Sequence, residues 1–256
     1  MNDIKKMIKN SFLYGIYRNI MQEMTIRLWT RDDQRNFLLY SEFIAPGCLC
    51  FDIGANIGNR TKAFLKIGAK VIAVEPQNKC MKILEKHYGK NKNVKLIHRA
   101  LGEKEGVKEM MIGSEHTLSS LSKNWVESVK NSGRFSEFSW DEKQKVSLTT
   151  LDYLIETYGS PDFIKIDVEG YEYEVLKGLT SPVKLLSLEF TPEYIDSTIN
   201  CLNHLSRIGN LELNWSKNES MRMELEDWVD KDRMIKLLEG NRTQLFFGDV
   251  YARFVS

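Results

Sequence analysis

The sequence has no internal seam. No tract rich in proline, glycine or serine, no low-complexity run and no repeat divides its 256 residues, so it reads as a single folding unit. It also lacks a charge bias. Its 36 basic residues stand against 35 acidic ones, and a net charge of +1 offers a nucleic acid no electrostatic draw, so none is expected as a partner. The paired cysteine spacing of a structural zinc site is missing. Cys48, Cys50, Cys80 and Cys201 read as small buried apolar residues, and with no secretory signal they point to a reducing cytoplasm rather than a disulfide framework. His87, His98, His116 and His204 are not spaced as ligands either, and no metal is expected. Finally, no long apolar run is present: Ile4 to Met24 is interrupted by Lys5, Lys6, Lys9, Asn10, Arg18 and Asn19, too polar to span a bilayer.

With 42% hydrophobic and 28% charged residues the chain can bury a substantial core. Near its start Ile4, Met7, Ile8, Phe12, Ile16 and Ile20 recur at spacings of three and four, the pattern of an amphipathic helix. Residues 1–46 are therefore read as an N-terminal helical extension packed on the domain or lying over it as a lid. Contact with a membrane surface is the weaker alternative.

From Cys48 a rhythm sets in. Strands expected at Cys48–Ile53, Lys70–Val74 and Val94–Ile97 alternate with helices at Thr61–Ile67 and Lys79–Tyr88, and such alternation demands a right-handed parallel sheet covered by helices on both faces. Residues 103–147 interrupt it with glycines and with strands at Val107–Ile112 and Lys145–Leu148, and read as an insertion of the kind that forms lids or substrate contacts. The rhythm returns with helix Leu151–Tyr158, strand Phe163–Asp167, helix Tyr171–Leu179, strand Lys184–Phe190 and helix Pro192–Ile208. Leu211–Trp215 and Gln244–Phe254 close the sheet as an antiparallel pair.

The run Asp52 to Gly58, DIGANIG, follows a strand and precedes a helix, the context of a nucleotide-binding turn. Gly54 and Gly58 let the backbone bend sharply and come close to a ligand, with Ala55 and Asn56 between them. A pyrophosphate would be repelled by Asp52, whereas the cationic amino-acid end of S-adenosylmethionine would be favoured. Glu75, followed by Pro76, ends the next strand some twenty residues on, where a carboxylate accepts from both ribose hydroxyls. A nicotinamide-dependent oxidoreductase shares the strand, turn and acid but not this sequence, since GxGxxG is absent. A non-catalytic binding protein has no physical reason to retain the turn.

With FDIGANIG (Phe51–Gly58), VIAVEP (Val71–Pro76), RALGE (Arg99–Glu103), TLD (Thr150–Asp152) and above all FIKIDVEGYEYEVLKG (Phe163–Gly178), the sequence resembles the FkbM-type class I S-adenosylmethionine-dependent methyltransferases. The resemblance covers roughly residues 47–190, with a weaker match beyond. It implies a Rossmann-like, doubly wound α/β domain over 47–256, its seven-stranded sheet mostly parallel with an antiparallel last strand. It implies S-adenosylmethionine across the strand ends, Arg99, Ala100 and Leu101 near the adenine, and Ser119 and Ser120 bordering the cofactor. O-methylation of a hydroxyl on a sugar, a glycan or glycolipid, or a secondary metabolite is the activity that follows.

Asp167, Glu169 and Glu189 fall at the carboxyl ends of two strands, where a doubly wound sheet binds ligands, and are the candidate bases; Asp167 is also placed beside the cofactor. The competing role for Asp167 and Glu169 is capping the next helix. His116, in the insertion, is a fourth candidate base should that loop close over the acceptor. The sequence leaves room for a homo-oligomer.

Overall fold

The structure is a computed structural model that describes residues 23–135, 137–242 and 247–255. The N-terminal stripe from Ile4 to Ile20 lies outside the described residues, as do residues 244–246 of the last expected strand.

Helix α1 (Arg31–Tyr40) starts at a capping box in which the Thr30 side chain accepts from the Asp33 amide and Asp33 accepts from the Thr30 amide. Its end is held by aromatics: the Tyr40 ring lies 4.9 Å from Phe64 and 5.5 Å from Phe163. The chain then enters β1 (Leu49–Ile53), whose Phe51 and Ile53 join one core while Cys50 joins the other. Burial on both faces is what a parallel strand between helical layers requires. Next come α2 (Asn59–Ile67), β2 (Lys70–Val74), α3 (Asn78–Tyr88) and β3 (Val94–Ile97).

After β4 (Ala100–Leu101) the chain builds a small second sheet from β5 (Gly106–Ile112) and β6 (Glu142–Thr149), in the order β4-β6-β5, with α4 (Lys123–Asn131) between the two long strands. Then follow α5 (Leu151–Tyr158), β7 (Phe163–Ile166), α6 (Glu172–Leu176), β8 (Leu185–Phe190), α7 (Ile195–Ile208), β9 (Asn210–Lys217), α8 (Lys231–Gly240) and β10 (Gly248–Val255). The main sheet runs β3-β2-β1-β7-β8-β10-β9. Pairings from β3 to β8 are parallel; β10 is antiparallel to both its neighbours. This is the seven-stranded, mostly parallel sheet that the resemblance implied, with its last strand inserted between β8 and β9.

α4 and α8 are helices that the sequence did not predict, and two predicted ones differ at one end by three residues. α6 ends at Leu176 rather than Leu179, because the chain must then pass Gly102: a Cβ on Gly178 would stand 2.4 Å from the Gly102 carbonyl oxygen. The helix expected from Pro192 begins with a 3-10 turn, Pro192–Tyr194, before α7. No helix among the described residues is long and apolar enough to cross a membrane.

Candidate active site

A cavity of about 510 Å³ opens at the carboxyl ends of β1, β2, β7 and β8. Gly54, Ala55 and Asn56 line it from the turn after β1, and Glu75, Pro76 and Gln77 from the turn after β2. Arg99, Ala100 and Leu101 form one end, His116 and Ser119 of the segment after β5 cover it, and Asp167, Glu169 and Glu189 sit at the ends of β7 and β8. Of the sequence candidates, Asp52, Gly58 and Ser120 do not line the cavity.

The glycine turn is tied to its neighbours by backbone bonds. The Gly54 and Ala55 amides both donate to the Val74 carbonyl, at 2.9 and 3.0 Å. Gly54 has φ +82, and a Cβ on it would lie 1.8 Å from the Asp167 carbonyl oxygen. A Cβ on Gly58, at φ +94, would lie 2.5 Å from the Tyr88 ring. Both glycines are therefore required by protein packing, whether or not a ligand also approaches their bare backbone. Asn56 adopts the left-handed region at φ 52, and its amide donates to Glu75 Oε2 at 2.8 Å. The Gln77 amide donates to Glu75 Oε1, also at 2.8 Å. Glu75 is 2% exposed, and burial pushes its carboxyl up to about 7 against the pull of these two amides.

Asp52 serves the scaffold. Alternation along β1 turns its side chain away from the cavity, and Oδ2 accepts from the Thr61 hydroxyl of α2 at 2.5 Å. Burial pushes its carboxyl up to about 6. The Ser120 hydroxyl likewise turns inward, donating to the Glu169 carbonyl at 2.6 Å. Ser119 and His116 brace the cover on the turn after β2: the Ser119 hydroxyl donates to Gln77 Oε1 at 2.8 Å, and the His116 carbonyl accepts from Gln77 Nε2 at 3.0 Å.

In the same cavity as Glu75 the oxygens offered by Asp167, Glu169 and Glu189 lie within 4.8 Å of one another, close enough to share a proton or a cation. Neither Asp167 nor Glu169 caps the next helix, which has no side-chain cap; the Glu172 carboxylate instead ties down the turn before it, accepting from the Val168 and Gly170 amides at 3.1 and 3.2 Å. Beneath the three acids Lys165 is fully buried, 3.3 Å from Asp167 and 2.7 Å from Asp249. Burial alone would raise the Asp167 carboxyl, but the charges of Lys165 and Arg60 outweigh it and hold the group below the ordinary carboxylate range. Burial and then the Asp167 charge push Glu169 and Glu189 well above that range. The rim thus sets one ionised carboxylate beside two that retain protons more strongly.

The wall facing these acids comes from residues that carry no motif. Thr25, Thr30, Asp33 and Asn36 line it, and Arg60 of α2 donates to Asn36 Oδ1 at 2.6 Å and Glu219 Oε2 at 3.2 Å. Gln77 was within reach of sequence reasoning, two residues beyond the ribose acid; Asn36 and Glu219 come from distant segments and gave no signal.

The family model described as the methyltransferase FkbM domain matches residues 52–230. No curated protein sequence matches the chain. Among solved structures it is similar to a precorrin-6y C5,15-methyltransferase from Geobacter metallireducens, at 11% identity and a TM-score of 0.44 over 86% of this chain and 87% of that one. It is similar to a SAM-dependent O-methyltransferase from Thermotoga maritima, at 12% identity and a TM-score of 0.41 over 87% of this chain and 65% of that one. A protein from Streptococcus mutans, described as a methyltransferase and crystallised with SAH, aligns at 10% identity and a TM-score of 0.42 over 89% of this chain and the whole of that one.

Proposed function

The chain belongs to the FkbM family of methyltransferases, whose methyl donor is S-adenosylmethionine, and from that premise we propose that it methylates a hydroxyl group, on a sugar of a glycan or glycolipid or on a secondary metabolite. That membership sets aside the nicotinamide reading of the same turn. The observation that carries the proposal is that one cavity is lined both by a buried carboxyl fixed by two amides and by a cluster of three carboxyls within 4.8 Å.

The residues present suit an adenosyl amino acid. Glu75 has lone pairs left after accepting its two amides, and on this reading they accept from the ribose hydroxyls. Ala100 and Leu101, both buried, offer an apolar seat for the base, with Arg99 at its edge. The N-terminus of α2, which has no side-chain cap, favours a carboxylate through its free amides and dipole. Asp52 acts through Thr61, holding α2 under the turn. When bound, the donor supplies a methyl group on a positively charged sulfur that becomes neutral as the methyl leaves.

The acid cluster then holds the acceptor. Asp167, Glu169 or Glu189 accepts the hydroxyl hydrogen and orients the oxygen lone pair, and the same carboxyl takes the proton as the oxygen–carbon bond forms. His116, on the cover, is the remaining candidate. Orientation accounts for most of the expected acceleration, since well-placed reactants behave as if at about 10⁵ to 10⁸ M. A cytoplasmic location remains part of this reading, resting on four free thiols.

Calorimetric titration with S-adenosylhomocysteine, followed by turnover with labelled donor across hydroxylated acceptors, tests the proposal. Saturable single-site heat and label transfer to an oxygen are expected. Well-folded protein that takes up no nucleoside, or that labels only carbon or nitrogen, would remove it.

A further inference from the structure

Beside the cavity mouth the chain leaves apolar side chains uncovered in one short stretch. Met24, Leu28, Trp29 and Leu38 are all exposed, Leu28 by 55% and Leu38 by 57%. Residues 23–27 are helical, so Met24 and Leu28 stack one turn apart, and the Leu28 amide donates to the Met24 carbonyl. The Trp29 ring meets Phe37 edge-on at 6.1 Å, next to Leu38. Large apolar groups gathered at a surface mark a contact with something else.

The surroundings of this patch are cationic. The ammonium groups of Lys62 and Lys66 lie 5.6 and 5.7 Å from the Trp29 ring centre. Arg27 is exposed beside Leu28, and Arg31, Arg35 and Leu38 share the outer face of α1 by their spacing. The acids within the patch are engaged: Glu23 pairs with Lys86, His87 and Arg27, and Asp32 with Arg35. The first 31 residues carry six basic side chains and two acidic ones, against +1 for the whole chain. Upstream, the apolar stripe from Ile4 to Ile20 is interleaved with Lys5, Lys6, Lys9 and Arg18, a composition suited to an interface between water and lipid.

We infer that this face docks on an anionic lipid surface, with Met24, Leu28 and Trp29 entering the headgroup layer and Arg27, Arg31, Arg35 and Lys66 meeting lipid phosphates. Charge decides between this occupant and its rivals. A second copy packed about a twofold axis would set the same arginines against one another. The chain's own residues 1–22 are themselves basic and would bring like charge to like. A tryptophan flanked by lysines, with leucine and methionine alongside, is instead the mixture that settles at a headgroup boundary.

The stretch is fixed to the domain. Lys62 donates to the Thr25 and Leu28 carbonyls at 3.0 and 2.5 Å and to Asp33 at 2.6 Å. Thr25, Thr30, Asp33 and Asn36 of the same stretch line the cavity, so docking sets the cavity at headgroup level. On the function proposed above, the acceptor hydroxyl then belongs to a lipid-borne molecule, a clause that stands or falls with that function.

Co-sedimentation of the full chain with phosphatidylglycerol–phosphatidylcholine vesicles, beside pure phosphatidylcholine vesicles, tests the docking. Partition to the anionic vesicles alone is expected, weakening as salt shortens the screening length. Leu28→Ser with Trp29→Ser, and separately Arg27→Glu with Arg31→Glu, should each lower it by roughly tenfold or more, as losing buried apolar area or lipid-facing charge does. Both variants should keep the wild-type affinity for S-adenosylhomocysteine and the wild-type melting temperature, which shows that they fold. The inference is overturned if the wild type stays in solution, if it sediments equally with both vesicles, if either variant partitions like the wild type, or if the wild type is a dimer that these substitutions dissociate. Partition without nucleoside binding would sink the methyltransferase reading and leave the docking standing.

Discussion

Lys165 and Asp249 form a buried ion pair, 2.7 Å apart, that reaches past β8 to join β7 to the last strand of the sheet. Because Lys165 also lies 3.3 Å from Asp167, this pair sits directly under the acid rim and supplies the positive charge that keeps Asp167 ionised.

Lys165→Met strands the buried Asp249 carboxylate, and the half-buried Asp167 beside it, without their cation. Breaking such a pair from one side costs about 3 to 5 kcal/mol. Denaturant unfolding should show a loss of that order, and Lys165→Met with Asp249→Leu should regain a large part of it. A single substitution with unchanged stability would show that the pair contributes nothing.

Glu75→Gln retains an oxygen for one amide but loses the charge that strengthens hydrogen bonds to hydroxyls. Such bonds are worth about 1.5 to 3 kcal/mol, so affinity for S-adenosylhomocysteine should fall roughly 10- to 100-fold by calorimetry while the melting temperature stays near that of the wild type. Affinity within twofold of the wild type would take the ribose role from Glu75.

The same carboxyl predicts a pH dependence of stability. Glu75 and Glu172, 2% and 5% exposed, are both pushed up to about 7 by burial. A raised folded-state value means that the folded form binds protons more tightly than the unfolded one. Its contribution is complete below about 4.5 and is lost as pH rises through about 7. Between pH 6 and pH 8 the ligand-free protein should therefore lose stability, by on the order of 1.4 kcal/mol per group, most of it below pH 7. Cofactor affinity should run the opposite way, falling as acidification neutralises Glu75. A melting temperature that climbs from pH 6 to pH 8 would contradict this.

Gly54→Ala drives a methyl group to 1.8 Å from the Asp167 carbonyl at a φ of +82. Strained backbone of this kind costs about 1 to 3 kcal/mol before the overlap is counted, so the variant should be markedly less stable and should lose cofactor binding. Normal melting with normal calorimetry would show that the ends of β1 and β7 can separate.

Asp167→Asn, Glu169→Gln and Glu189→Gln distinguish the proton acceptor. Removal of the true base should lower kcat by roughly 10² to 10⁴ while leaving S-adenosylhomocysteine affinity close to that of the wild type. Three variants that all turn over normally would move the role to His116 or leave orientation as the whole of catalysis.

The strands were legible because each is a short apolar run bounded by turn residues. The strands Lys70–Val74 and Val94–Ile97 have the same limits in sequence and structure, as does the helix Leu151–Tyr158. Glu75, Asp167 and Glu189 were legible as acids at strand ends, a position that topology alone directs toward the crevice. Asp52 lies off the cavity lining, which its position could not reveal, because a strand end shows where a residue lies along the chain but not which face receives its side chain. Arg60, Asn36 and Glu219 were invisible for another reason. They meet only when α1, α2 and the turn after β9 pack together, and no local pattern records a contact between residues 24 and 159 positions apart.

β10 is the last strand in chain order yet an interior one in space, lying between β8 and β9. A ribosome delivers it after every other strand has been made, so until then β8 and β9 have no partner between them and Lys165 has no Asp249. The active site should therefore mature only once residues 248–255 have emerged, and a nascent chain arrested before residue 248 should be held open and prone to capture by chaperones.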